Sequence, residues 1–238
     1  MIANDTYCLM PTVIRRLHLA GEWDAALALS GDGDEGATLR AELLVDRNFW
    51  QRTGGEAAAE AVAALDPASV QARYLGGKLA YSRLLFAEDA DPDDRATTEA
   101  GYRAAAEDKE LHGWGELHSG TFQEHIAEDK DAAEAHYRKA LAASRDTGDL
   151  LLESYAVRHL GGLAFFERGE KAEGEQLLRR SLHLRAAAGA RPQTAAAQAT
   201  LAQALAEDAS ERATLIEAAR TTATELRLTW LLGSLAEL

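Results

Sequence analysis

The segment Ala72-Arg73-Tyr74-Leu75-Gly76-Gly77-Lys78-Leu79-Ala80-Tyr81 returns, altered, as Val157-Arg158-His159-Leu160-Gly161-Gly162-Leu163-Ala164-Phe165-Phe166. A fainter copy, Leu117-His118-Ser119-Gly120-Thr121-Phe122-Gln123-Glu124-His125, lies between them. Aligned on these copies, Tyr74, His118 and His159 share one column, and Tyr81, His125 and Phe166 share another. The first column is spaced by 44 and then 41 residues, the period of paired-helix repeats. One such unit cannot bury its apolar face alone, so the copies must pile on one another. The expectation is a stack of helical hairpins whose function is a property of its surface.

Local chemistry agrees with helix throughout. Hydrophobic residues make up 47% of the 238-residue chain, and alanine is prominent among them, favouring helix and close helix approach. Val, Ile, Thr and Tyr are sparse and nowhere alternate over a useful length, so strands are not expected. Pro11, Pro67, Pro92 and Pro192 are each read as marking a helix start, where a missing N–H costs nothing. Asp91-Pro92-Asp93-Asp94 is the clearest, with acids placed at the positive end of a helix dipole. Six hairpins are expected, at about 10–30, 36–65, 68–108, 110–146, 149–188 and 192–222, in one domain spanning 1–238. The stretch 224–237, with Leu226, Leu228, Trp230, Leu231, Leu232 and Leu235, is expected as a helix capping the last hairpin. Ser30 to Gly36 reads as the most flexible linker, and Ala87 to Asp91 as an acidic loop.

The second helix of each hairpin follows a turn and carries small residues seven apart: Ala133 with Ala140, and Gly174 with Ser181, around the large Tyr137 and Leu178. Leu160-Gly161 supplies a small position on the first helix of the fifth hairpin. Together these resemble the tetratricopeptide repeat, in its longer variety of about 41 residues. The resemblance is good over 114–188, fair over 10–30 and 68–108, and weak elsewhere. It implies a right-handed α-solenoid of about six antiparallel hairpins, with the first helices lining a concave groove. The sequence departs from the pattern at Gly162, Thr121 and Arg158. The fifth hairpin also carries one residue too many between Leu160-Gly161 and the next turn.

By this resemblance the groove is lined by Tyr74, Lys78, Tyr81, His118, Phe122, His125, His159, Leu163 and Phe166, with Arg15 and His18 near the matching column of the first hairpin. Aromatic and imidazole side chains suit binding, because they bury large area at low entropic cost while keeping a polar tip. The competing expectation places the same residues in inter-helix seams as ordinary core.

The formal charge of −14 argues against nucleic acid, since each phosphate contact wants Lys or Arg. Cys8 is alone, so no disulfide framework is expected. The first residues lack a secretory pattern, and no run approaches the ~20 apolar residues of a membrane span. A cytoplasmic protein is the resulting expectation.

Gly31-Asp32-Gly33-Asp34-Glu35-Gly36 matches a dinucleotide fingerprint by letter, yet no buried strand precedes it and its carboxylates would repel a pyrophosphate. His118, His125 and His159 are the imidazoles a metal would use, with Glu124 or Glu128 nearby. Seven helical residues rise about 10 Å, separating His118 from His125, so His118 with His159 is the feasible pair. No metal, other cofactor or catalytic residue is expected, and no Ser-His-Asp or His-Glu-x-x-His arrangement is present. The leading expectation is a non-catalytic scaffold holding a peptide or partner protein in its groove. The alternative is an enzyme or small-molecule or metal-binding protein using the same surface as a pocket. A homodimer through the leucine-rich tail is a further partner expectation.

Overall fold

A computed structural model describes residues 3–207 and 209–238, and for residues 3–9 it describes the backbone alone. Cys8 therefore lies outside the described side chains. The described residues form helices and no strand. In order they are α1 (Ala3–Ala20), α2 (Trp23–Leu29), α3 (Gly33–Gln51), α4 (Gly55–Ala63), α5 (Val70–Phe86), α6 (Asp94–Glu107) and α7 (His112–Phe122). They continue as α8 (Lys130–Thr147), α9 (Leu150–Gly162), α10 (Lys171–Ala188), α11 (Arg191–Ala204), α12 (Ser210–Glu225) and α13 (Thr229–Leu235). Each packs against the next along the chain. None is long and apolar enough to cross a membrane.

Caps set several boundaries. Ser69 accepts the Ala72 N–H, Asp129 that of Ala132, and Asp149 those of Leu151 and Leu152, satisfying amides that have no partner inside the helix. Of the four prolines, Pro192 lies in the first turn of α11 as expected. Pro67 and Pro92 lie in the turns just ahead of α5 and α6. Pro11 departs from the expectation: it sits well inside α1, where its fixed φ suits the helix although one backbone hydrogen bond is lost. The expected Ser30–Gly36 linker is also shorter, because α3 already begins at Gly33.

The small positions are places of close approach. Ala133, Ala140 and Ser181 are buried, as are Tyr137 and Leu178 between them. A Cβ on Gly174 would stand 2.5 Å from the Phe165 Cβ and 2.7 Å from its backbone N, so only glycine lets α10 lie this near.

Two helices end unusually. α7 runs on as a π-helical turn at Gln123–Ala127 and α9 as another at Leu163–Glu167. In the second, Arg168 N–H bonds to the Leu163 carbonyl at 3.1 Å and Glu170 N–H to that of Ala164 at 2.9 Å. Each π-turn is the last turn of its helix, wider by one residue than an α-turn.

The chain also closes on itself. Ile14, Trp23, Leu43 and Trp50 of α1–α3 share one core with Ala195, Leu201, Leu215, Leu228, Leu231 and Leu235 of α11–α13. Gly21, at φ +78°, marks the seam: a Cβ there would stand 2.9 Å from Leu226 and 3.0 Å from Pro192. Gln51 Nε2 donates to the Leu226 carbonyl at 3.0 Å, and Thr229 Oγ1 to that of Gln51 at 2.8 Å. Arg191 bridges Glu22 and Glu225. The tail thus packs on α1–α3 as well as on α11 and α12, with Leu226, Leu228, Leu231 and Leu235 buried and Trp230 and Leu232 partly exposed.

Candidate functional site

Side chains from α1, α3, α5, α7, α8, α9 and α10 meet in three groups. In the first, Asp46 of α3 accepts a hydrogen bond from His18 Nε2 at 2.7 Å and another from Lys78 Nζ at 2.6 Å. All three side chains remain 21–25% exposed. Burial pushes the Asp46 carboxyl up, but Lys78 and His18 outweigh it and hold it far below the usual range. Burial lowers Lys78, and Asp46 more than restores it. Glu42, one turn earlier, is raised by burial and eased only in part by Lys78.

The second group is aromatic. Tyr74 Oη lies 2.8 Å from His118 Nδ1, which is also 3.0 Å from the Trp114 carbonyl oxygen. Trp114 stacks on His118, donates from Nε1 to Asp149 at 3.1 Å and meets Tyr155 edge-on. Burial, helped by the charge of Lys78, lowers His118 to about 3, so its ring is neutral. Tyr155 carries the Arg185 guanidinium 4.6 Å above its ring. Lys78 Nζ stands 5.9 Å from the centre of the Tyr74 ring, which joins this group to the first. Arg185 is 3% exposed, donates to the Gln193 carbonyl at 2.8 Å and forms no ion pair among the described residues. Burial lowers it to about 10.

The third group lies where the π-turn of α7 meets α9. Glu124 Oε2 accepts from Tyr137 Oη at 2.5 Å and from His159 Nδ1 at 2.8 Å, and stands 3.7 Å from His125 Nε2. His159 stacks flat on Tyr137, with centroids 4.5 Å apart. Arg158 Nη1 lies 3.1 Å from His159 Nδ1. Burial, assisted by Arg158, lowers His159 to about 4. Burial raises Glu124, and His159, with His125 and Arg158 beyond it, reverses this so that the carboxyl is ionised at neutral pH.

The expected groove residues therefore divide. Tyr74, Lys78, His118 and His159 belong to these groups, with Tyr74 and His159 themselves largely buried. Tyr81 and Phe122 are core, packed with Tyr102, and Leu163 is core between α8 and α9. His125 joins the third group from the surface, whereas Phe166 is 47% exposed and packs on Phe165. His118, which with His159 was the feasible pair on spacing, is not part of the cluster; the imidazole that comes near His159 is His125, with ring centroids 6.0 Å apart.

Asp46, Tyr155 and Arg185 were missed. Tyr155 carried a usable signal, lying four residues before His159 and so on the same helical face. Asp46 had one too, a charge directly after the apolar Leu43-Leu44-Val45.

A surface depression of about 390 Å³ between α3 and α5 includes Glu42 and Gln71. A wider concavity of about 720 Å³ is lined by α12 alone and contains none of these groups. Comparison with protein-family models, curated proteins and solved structures returned no match.

Proposed function

We propose that this chain is a tetratricopeptide-like scaffold: a right-handed α-solenoid of six hairpins, closed by α13, whose inner wall holds a short peptide or partner segment without chemistry. The observation that supports this reading is the chain of polar and aromatic contacts through α1, α3, α5, α7, α9 and α10, from His18 and Asp46 through Lys78, Tyr74, His118 and Trp114 to Tyr155 and Arg185. Side chains with an apolar body and a polar tip recognise peptide backbone and side chain together. The buried small positions at Ala133, Ala140, Gly174 and Ser181 support the repeat reading. In this reading the protein is cytoplasmic, and its charge of −14 turns away polyanions.

The test is selection from a displayed library of random peptides. Wild type is expected to enrich a consensus, and the Lys78→Gln/Tyr155→Leu double variant to lose it while melting within a few degrees of wild type. Identical enrichment by both proteins would remove the inner wall as the binding surface.

One observation favours a second reading, a carrier for a small anionic molecule. Arg185 is buried without a carboxylate partner among the described residues, a costly state that a bound anion relieves. Thermal-shift screening of small carboxylates and phosphates, with Arg185→Gln as the control, separates the two.

A further inference from the structure

We propose that Glu124, His125 and His159 form a site for one borderline divalent cation of the zinc class, with a fourth position open to solvent. One candidate ligand atom from each residue falls within 4.8 Å of the other two. Glu124 Oε2 is 2.8 Å from His159 Nδ1 and 3.7 Å from His125 Nε2. Donors around a tetrahedral ion bound at 2.0–2.2 Å stand about 3.3 Å apart. The trio therefore needs only side-chain rotations, chiefly of the exposed His125, to converge.

The backbone is built for this meeting. Had α7 continued as an α-helix, His125 would lie two turns along the His118 face. The π-turn at Gln123–Ala127 swings Glu124 and His125 toward α9 instead, and such turns concentrate at functional sites. Tyr137 fixes both inner ligands at once, stacking on His159 and donating to Glu124, as an outer-shell residue does at a metal. Two imidazoles and one carboxylate select zinc, cobalt or nickel over magnesium or calcium. His125 opens the site to solvent while the other two ligands are mostly buried. Arg158 opposes the ion: its guanidinium beside His159 must turn outward to admit a second positive charge.

The site stands apart from the scaffold reading, and its test does not use peptide. Zn²⁺ is titrated into the metal-free full chain by calorimetry, with melting followed in parallel and Co²⁺ absorption reporting coordination. Wild type is expected to bind one ion saturably, to melt higher with it and to give the visible bands of a four-coordinate Co²⁺ centre. His125→Ala and Glu124→Gln are expected to weaken binding at least about tenfold and to lose the melting shift, with metal-free melting close to wild type. Arg158→Gln is expected to bind more tightly than wild type. No saturable binding by wild type, or one-site binding of equal strength in both ligand variants, overturns the proposal.

Discussion

At His118 burial and the nearby Lys78 charge act in the same direction, taking the ring from its ordinary 6.5 to about 3. Between those values the unfolded chain binds the proton more readily than the folded one, so stability rises with pH across the window. Melting temperature is therefore expected to hold above pH 6.5 and to fall progressively below it. His118→Gln should make that fall shallower, as melts in a pH series will read. Asp46 adds a second loss at lower pH, below its ordinary 3.8, as protonation removes its bonds to His18 and Lys78. Tyr102 gives the opposite kind of prediction. It is 1% exposed and its hydroxyl has no hydrogen-bond partner among the described residues, so the folded state carries an uncompensated desolvation cost. Tyr102→Phe is expected to stabilise the protein by about 1 kcal/mol in urea titration, and a loss of that size would mean the hydroxyl is satisfied after all.

At the level of helices, neighbouring glycines serve different ends. Gly174 sits where α10 touches Phe165 with no room for a methyl group, so Gly174→Ala is expected to cost about 1–3 kcal/mol by overpacking. Gly162 is helical at φ −62° with nothing within 4 Å of an added Cβ. Gly162→Ala should stabilise by about 0.5–1 kcal/mol, since alanine loses less backbone freedom on folding. Paired chemical denaturation of the two variants tests the packing directly, and the same sign for both would contradict it.

For the whole molecule, the consequential feature is that the two ends share a core. Leu228 is fully buried beside residues of α1–α3 and α11–α13. Leu228→Ala is expected to cost about 2–5 kcal/mol. Because the core is shared, hydrogen exchange should quicken in α1–α3 as well as in α13. Exchange quickening confined to α12 and α13 would show an open stack whose ends are energetically independent.

Helical class and the close-packing role of Ala133, Ala140, Gly174 and Ser181 were legible in the order of residues. Each is written in local terms: a period, a cap, a small side chain seven positions from another. The column of Tyr74, His118 and His159 was legible as a pattern, but its division among wall, seam and ligand cluster was not. A π-turn moves a side chain by about 100° with one extra hydrogen-bonded residue, and periodicity alone does not reveal which face results. The pairing of Asp46 with His18 and Lys78, the stacking of Arg185 on Tyr155 and the return of α13 onto α3 belong to tertiary structure alone. They join residues from different helices, up to 178 positions apart across the closing seam, so no single segment records them.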